Sequence, residues 1–254
     1  MAMDQILQAL GEIERLKQIK IVYACETGSR AWGFPSPDSD YDIRFIYKYD
    51  KDWYLQLGQR KDTVEIMSGE LDITGWDLRK SLMLLKKSNT ALIERFQSPI
   101  LYRNLRGFRN DFSALIREYY SARAVYFHHY FLAIKFWEEM KDQQQFKLKN
   151  YFYLLRSLLS CNWIMNDGSV PPMHIEGLMQ YIGDEDRGMI RELIRLKADK
   201  NESYVHDSTK DQRRLITHLL KTTENKGESL PVCREDFSKL NSFFIKQLDA
   251  TDDK

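Results

Sequence analysis

The amino-acid sequence predicts an α+β protein in which an N-terminal α/β half is followed by an all-α half. Short segments rich in β-branched and aromatic residues, separated by turns, occupy the first hundred residues, and long segments with helical periodicity occupy the rest. The chain has 254 residues, of which 43% are hydrophobic and 30% charged, as in a globular protein with a sizeable core. We place the boundary near residue 105, which gives predicted domains over 1–105 and 106–254.

The first half is predicted to contain one helix, four strands and a second helix, in that order. Apolar residues at helical spacing predict the first helix over residues 6–16. Segments with strand composition follow: IKIVYAC (19–25), DIRFIYKY (42–49), VEIM (64–67) and ELDITGW (70–76). The last two predict a hairpin that turns at Ser68-Gly69, and Asp77 is predicted to cap the helix after it rather than to act as a ligand.

The second half is predicted to be helical, and the bulk properties exclude several classes of protein. Helical periodicity covers residues 112–140, 146–165, 189–198 and 237–248. The three cysteines are scattered, which argues against a disulfide framework and a structural zinc site. No run of about 18 apolar residues and no signal peptide are present, so we expect a cytoplasmic protein. The formal net charge of +1 means that any anion-binding surface must be local.

The stretch GSRAWGFPSPDSDYDIRF (28–45) contains two aspartates separated by one residue directly ahead of a predicted strand. If Asp40 and Asp42 begin that strand, both carboxylates lie on one face, about 7 Å apart along the chain. Such groups raise each other's pKa or stay ionised beside a cation. Carboxylates combined with water and substrate phosphates suit Mg²⁺. The pair therefore predicts a divalent-cation site.

Two further features predict that this site acts on a nucleoside triphosphate. The Gly28-Ser29 turn follows the first strand and offers backbone N–H groups and a hydroxyl to phosphate oxygens. A third carboxylate, Asp72, has the pattern apolar–acid–apolar on a later strand. Two metal ions held by three such acids can activate an attacking hydroxyl and stabilise a leaving pyrophosphate.

These motifs resemble the nucleotidyltransferase superfamily that includes DNA polymerase β, poly(A) polymerases and CCA-adding enzymes. Its signature is a Gly-Ser turn, an Asp-x-Asp after a spacer and a lone acid on a later strand. The chain is more closely similar to the RlaP-like, RNA-repair-associated family. The similarity is carried by GSRAWGFPSPDSDYDIRFIY (28–47), DITGWDLRKSL (72–82), SPILY (98–102) and KNYFYLLRSLLSCNWI (149–164).

The resemblance implies a nucleotidyltransferase catalytic domain with a mixed β-sheet, followed by a helical substrate- and nucleotide-binding domain. It implies that Asp40 and Asp42 coordinate two Mg²⁺ or Mn²⁺ ions, and that Asp72 completes the site as a ligand or as a base. Gly28 and Ser29 would hold the β- and γ-phosphates of an NTP such as ATP.

Four other residues are candidates for nucleotide binding. Arg30 either contacts phosphate or pairs with an aspartate of the spacer. By analogy with related two-domain transferases, Lys149, Tyr153 and Arg156 are candidates for a second phosphate clamp, since their spacing places them on one helix face. The alternative is that this stripe is the solvated face of a core helix.

The acceptor is left open by the motifs. The association of the family with RNA repair implies an RNA or tRNA end. The same catalytic core also serves nucleotidylation of a protein or small molecule, for example AMP transfer. A third alternative is a non-catalytic nucleotide- or RNA-binding partner in an RNA-repair or toxin–antitoxin system, although the presence of all three acids argues against it.

Overall fold

The computed structural model describes residues 3–58, 61–233 and 236–250. It confirms the α+β class, with a mixed sheet in the N-terminal part of the chain and helices in the rest. The chain divides into two compact units: the first comprises Met1–Gly28, Asp40–Tyr120 and Cys233–Lys254, and the second comprises Ser29–Ser39 and Ser121–Val232. The domain boundary near residue 105 stays a prediction.

The described residues contain seven strands and twelve α-helices. The strands are β1 (Lys20–Glu26), β2 (Tyr41–Lys48), β3 (Thr63–Ser68), β4 (Leu71–Asp77), β5 (Leu101–Asn104), β6 (Gln145–Lys147) and β7 (Val205–Asp207). The helices are α1 (Met3–Lys17), α2 (Gly28–Trp32), α3 (Lys51–Tyr54), α4 (Leu78–Lys86), α5 (Thr90–Arg95), α6 (Phe108–Tyr119), α7 (Ala122–Met140), α8 (Leu148–Asp167), α9 (Ile175–Leu178), α10 (Asp184–Ala198), α11 (Lys210–Thr223) and α12 (Ser238–Asp249). None of the helices among these residues is both long enough and apolar enough to cross a bilayer.

The sheet of the first unit has the strand order β3-β4-β2-β1-β5. Strands β2 and β4 are parallel, and the other neighbours are antiparallel. The turn that joins β3 to β4 contains Gly69 at φ +59°, as the predicted hairpin requires. Because β2 and β4 run in the same direction in register, Asp42 lies directly beside Asp72.

The core of the first unit lies between the sheet and its helices. The buried guanidinium of Arg95 lies 3.4 Å from the ring centre of Trp76, where cation–π attraction stabilises it. The C-terminal helix α12 also belongs to this unit, because Phe243 makes edge-to-face contacts with the rings of Phe108 and Phe112 on α6. Edge-to-face packing of this kind stabilises a core beyond the area that it buries.

The second unit is built around α8, most of whose residues are buried. Helices α7 and α11 pack on α8, and β6 and β7 form a short antiparallel pair. Residues 29–39 belong to this unit because the ring of Phe34 stacks on Phe152 with centroids 4.7 Å apart. Cys161 is buried in α8.

The structure corrects the predicted helix over residues 112–140. The chain is extended at Tyr120, with φ −66° and ψ 127°, and therefore ends α6 there. The Ser121 hydroxyl then accepts the backbone N–H of Ala124 and caps α7. Apolar side chains continue across the break, so periodicity alone did not reveal it. Helices α8, α10 and α12 are confirmed with shifted ends, whereas α5, α11 and β5 were not predicted.

The buried His129 makes the stability of the second unit depend on pH. Its Nδ1 has no hydrogen-bond partner among the described residues. Burial, and then the charges of Arg156 and His128, hold the pKa of His129 well below its usual range. The folded protein therefore keeps the ring neutral, while the unfolded chain takes up a proton below about pH 6.5.

We expect His129 to lower the free energy of unfolding by about 1.4 kcal/mol for each pH unit below about 6.5. Urea denaturation at a series of pH values should show this slope in the wild type and a smaller slope in His129→Gln. His218→Gln, which changes an exposed histidine on α11, should keep the wild-type slope. Equal slopes in all three proteins would contradict the assignment.

Candidate active site

Two of the predicted acids share one guanidinium group at the end of the sheet where strands β2 and β4 begin. The Nη2 atom of Arg44 donates to Oδ1 of Asp42 and to Oδ2 of Asp72, both at 2.7 Å. The side chains of Arg44, Asp42 and Asp72 are 18%, 28% and 29% exposed, so the cluster is largely shielded from water. The sheet thus brings together two predicted site residues and one cation.

Arg44 occupies this position because of strand geometry. It follows Asp42 by two residues on β2, and side chains two residues apart lie on the same face of a strand. Its Nη1 atom donates to the carbonyl oxygens of Ile43 and Asp72, which fixes the plane of the guanidinium. Our sequence analysis missed Arg44, although the same two-residue alternation that we applied to the aspartates points to it.

The Asp42 carboxylate experiences the charges of two other acids as well as that of Arg44. Burial raises the pKa of Asp42, Arg44 opposes that effect, and the charges of Asp72 and Asp40 raise the pKa further. A carboxyl group in such surroundings is stabilised in its ionised form by additional positive charge. The cluster is therefore electrostatically suited to a cation.

Asp40 is placed differently from its two partners. Strand β2 begins at Tyr41, so the exposed Asp40 lies just outside the strand, and its direction is not fixed by the strand register. Among the described residues, no group of three or more His, Cys, Asp or Glu side chains has the spacing of a metal site. Carboxylates are the ligands that Mg²⁺ prefers, so the donor chemistry fits, and metal binding by all three acids stays a prediction.

Gly28 lies against the carboxylate of Asp42. Its φ is +68°, and a Cβ atom added to it would lie 1.9 Å from Oδ2 of Asp42. The backbone N–H of Thr27 donates to the carbonyl oxygen of Asp42 at 2.8 Å. The beginning of the predicted Gly-Ser turn and the second aspartate of the motif therefore meet, and only glycine fits between them.

Ser29 belongs to a hydrogen-bonded network in the second unit. Its hydroxyl donates to the hydroxyl of Ser39 at 3.0 Å, and Ser39 donates to Oε1 of Glu202 at 2.9 Å. Lys149 donates to the other oxygen of the same carboxylate. Two predicted nucleotide-binding residues, Ser29 and Lys149, are thereby connected through Glu202. Our sequence analysis missed Glu202 and Ser39.

One side of α8 carries Lys149, Tyr153 and Arg156. Of these, Tyr153 and Arg156 contact Trp32, and Lys149 contacts Tyr153. The Nζ atom of Lys149 is 5.8 Å from the ring centre of Tyr153, and Tyr153 contacts Trp32 edge to face. The buried guanidinium of Arg156 lies 4.4 Å from the ring centre of Trp32. At Arg156 this face is not solvated. Nucleotide binding by these residues, and by the half-buried Arg30, stays a prediction.

Asp77, which we predicted to be a helix cap, has that role. Its Oδ1 atom accepts the backbone N–H groups of Arg79 and Lys80 at the start of α4. Its Oδ2 atom accepts the hydroxyl of Tyr54. With both oxygens engaged by the protein, Asp77 stabilises the fold.

Arg44→Met is expected to destabilise the protein by about 2 kcal/mol at neutral pH, because it leaves two partly buried carboxylates without their shared cation. The loss should shrink as the pH falls, because the Asp42 carboxyl, whose pKa is raised by burial, becomes protonated and then needs no partner. Urea denaturation at neutral pH and at acidic pH measures this. Arg117→Met, at an exposed position on α6, is the matched control. A loss that is independent of pH would contradict the role given to the ion pairs.

Comparison with known proteins identifies the family to which this chain belongs. A family model described as RlaP, the RNA repair pathway DNA polymerase beta family, matches residues 2–246. The chain therefore belongs to the RlaP family, a nucleotidyltransferase-like family of RNA repair, as its motifs predicted.

Two individual proteins are similar to this chain. Over 180 residues it is 43% identical to YcgL of Bacillus subtilis (strain 168), which is named an uncharacterized protein, and the match covers 70% of this chain and 69% of YcgL. A nucleotidyltransferase-like protein from Exiguobacterium sibiricum 255-15 matches in structure with a TM-score of 0.31 and 9% identity. That match covers 85% of this chain and 75% of the other.

Proposed function

We propose that this protein transfers a nucleoside monophosphate from an NTP to a hydroxyl group at an RNA or tRNA end. The acceptor oxygen attacks the α-phosphorus, the bond between that phosphorus and the α,β-bridging oxygen breaks, and pyrophosphate leaves with the electron pair. The proton of the acceptor hydroxyl passes to a carboxylate or to water. The reaction therefore needs a group that accepts the proton, a surface that binds the phosphates, and positive charge near them.

The carboxylates of Asp40, Asp42 and Asp72 would hold the divalent cations in this reaction. Bound Mg²⁺ or Mn²⁺ would lower the pKa of the acceptor hydroxyl and neutralise charge on the leaving pyrophosphate. Asp72 would act as a ligand or as the base that takes the proton. Gly28 and Ser29 would bind the β- and γ-phosphates through a backbone N–H group and a hydroxyl.

The observation that carries the proposal is the register of β2 and β4. It places Asp42 beside Asp72, and Gly28 lies against the Asp42 carboxylate. A cluster of acids is suited to binding cations. Because Gly28 has no side chain, its backbone can approach the Asp42 carboxylate closely.

The RNA acceptor is supported by the description of the family as part of an RNA repair pathway. The formal net charge of +1 fits a short acceptor end better than a long duplex, because neutralising many phosphates requires many clustered cations.

The test uses NTPs labelled at the α- or γ-phosphate, Mg²⁺ and RNA with a free or chemically blocked 3′-hydroxyl. Label from the α-position should enter only the RNA with the free hydroxyl, and label from the γ-position should enter neither. Transfer of α-label to added protein instead of RNA would contradict the acceptor. Absence of transfer to any hydroxyl acceptor would contradict the reaction itself.

A further inference from the structure

The carboxylate of Glu202 is linked through hydrogen bonds to Ser29, which the proposed function assigns to phosphate, and to Lys149, a predicted nucleotide-binding residue. Its Oε1 atom accepts from Ser39, which in turn accepts from Ser29, and its Oε2 atom accepts from Lys149. The side chain is 24% exposed, so the carboxylate is partly desolvated but remains open to exchange with solvent. One hydroxyl and one ammonium group donate to this anion, and the hydroxyl of Ser29 donates to the Ser39 hydroxyl behind it.

The position of Glu202 is fixed by its backbone as well as by its carboxylate. Its backbone N–H lies 2.9 Å and 3.2 Å from the two carboxylate oxygens of Asp38. Nearby, the buried Lys197 donates to the hydroxyl of Ser36 at 2.8 Å. Residues 36–39 are therefore held by contacts that do not involve the Glu202 carboxylate.

The groups around this carboxylate are those that bind a phosphoryl group. Carboxylate and phosphate oxygens both accept charge-assisted hydrogen bonds from lysine and ordinary ones from serine. Lysine serves as a point charge for phosphate at many nucleotide-binding sites. A carboxylate and a phosphoryl oxygen cannot occupy the same donors at once.

We propose that Glu202 is an internal anion that occupies a phosphoryl-binding position formed by Ser39 and Lys149, next to the Ser29 hydroxyl that donates to Ser39. A triphosphate binds there by displacing the Glu202 carboxylate into solvent. This inference rests on the proposed function for the role of Ser29 and on the predicted role of Lys149, and it adds Ser39 as a phosphate contact and Glu202 as a competitor. The competition lowers the affinity for every ligand that cannot make enough other contacts to displace the carboxylate.

A purely structural role for Glu202 predicts a different behaviour. If the carboxylate served only to hold residues 29–39 in place, its removal would loosen the loop and weaken phosphate binding. Glu202→Gln separates the two cases, because it keeps the backbone N–H for Asp38 and an oxygen for Ser39 while it removes the negative charge.

The experiment is calorimetric titration of the full chain with inorganic tripolyphosphate, and with an NTP, in the presence of Mg²⁺. We expect Glu202→Gln to bind both ligands roughly three- to ten-fold more tightly than the wild type, which is the size of a partly exposed charged pair. Glu138→Gln removes an exposed carboxylate paired with Lys141 and should leave the affinity unchanged. Glu202→Asp keeps the charge on a shorter arm and should give a smaller gain.

Unchanged or weaker binding by Glu202→Gln, with binding by the wild type intact, would overturn the inference and leave the proposed function standing. Lys149→Met should weaken binding in both the wild-type and the Glu202→Gln background, and full affinity of that variant would also overturn the inference. If the wild type and all variants bound neither tripolyphosphate nor an NTP, both the inference and the proposed function would fail.

Discussion

Asp42→Asn is expected to lower nucleotidyl transfer by about 10³-fold, a loss of several kcal/mol of transition-state stabilisation. Asparagine has nearly the same shape as aspartate but lacks the negative charge that the proposed reaction requires. The change also acts at the centre of the cluster, because Asp42 contacts Arg44 and lies beside Asp72 and against Gly28. Steady-state transfer of α-labelled nucleotide to RNA measures the loss.

The same substitution should change the free energy of unfolding by less than about 1 kcal/mol. Asparagine relieves the repulsion among Asp40, Asp42 and Asp72, and Arg44 keeps its ion pair with Asp72. Glu65→Gln, at an exposed acid on the neighbouring strand β3, is the control and should leave both activity and stability unchanged. Asp42→Asn protein that transferred nucleotide within ten-fold of the wild-type rate would show that the reaction does not depend on this carboxylate.

Four of the five strands of the sheet, and the acids that they carry, could be predicted because strand composition and turn residues are local patterns. Asp42 and Asp72 each stand directly before an isoleucine in a segment of strand composition, which identifies two strands with an acid near the start of each. The turn residues Ser68 and Gly69 predicted the hairpin of β3 and β4. Once β2 and β4 are parallel neighbours, their starts share an edge, and the two acids meet there.

The hydrogen-bonded network around Glu202 could not be predicted, because it joins residues that are far apart in the chain. Glu202 lies 163 residues after Ser39, and no local periodicity or spacing relates the two. The same limit applies to the compact units, in which residues 29–39 group with residues 121–232 through contacts such as Phe34 on Phe152. Side-chain contacts over such separations depend on tertiary packing, which sequence patterns do not specify.

In each compact unit, charged candidate groups are paired with an internal residue of opposite charge. In the first unit, Arg44 neutralises acids that are proposed to bind cations. In the second, Glu202 neutralises a lysine that is proposed to bind phosphate. A partly buried charge is costly without a partner, so a protein that binds a charged substrate must supply a partner of its own when the substrate is absent. Within each unit, binding of the proposed ligand would then exchange an internal ion pair for an external one.

Gly28→Ala is expected to abolish transfer, with a loss of at least about 100-fold, and to destabilise the protein by about 2–4 kcal/mol. Alanine at φ +68° adopts a left-handed conformation that costs about 1 kcal/mol. The added methyl group would also lie 1.9 Å from Oδ2 of Asp42, so either the carboxylate or the backbone of the turn must move. Movement of the carboxylate takes Asp42 away from Arg44, and movement of the turn takes the backbone at Gly28 away from Asp42.

Gly69→Ala separates the effect of this contact from that of backbone strain. Gly69 has φ +59°, and no described atom lies within 4 Å of the position its Cβ would take. This variant should therefore lose about 1 kcal/mol of stability and keep its activity. The difference between the two variants, measured by urea denaturation and by nucleotide transfer, is the contribution of the close approach between Gly28 and Asp42. Equal losses of stability together with an active Gly28→Ala protein would mean that the carboxylate does not need its position against the turn.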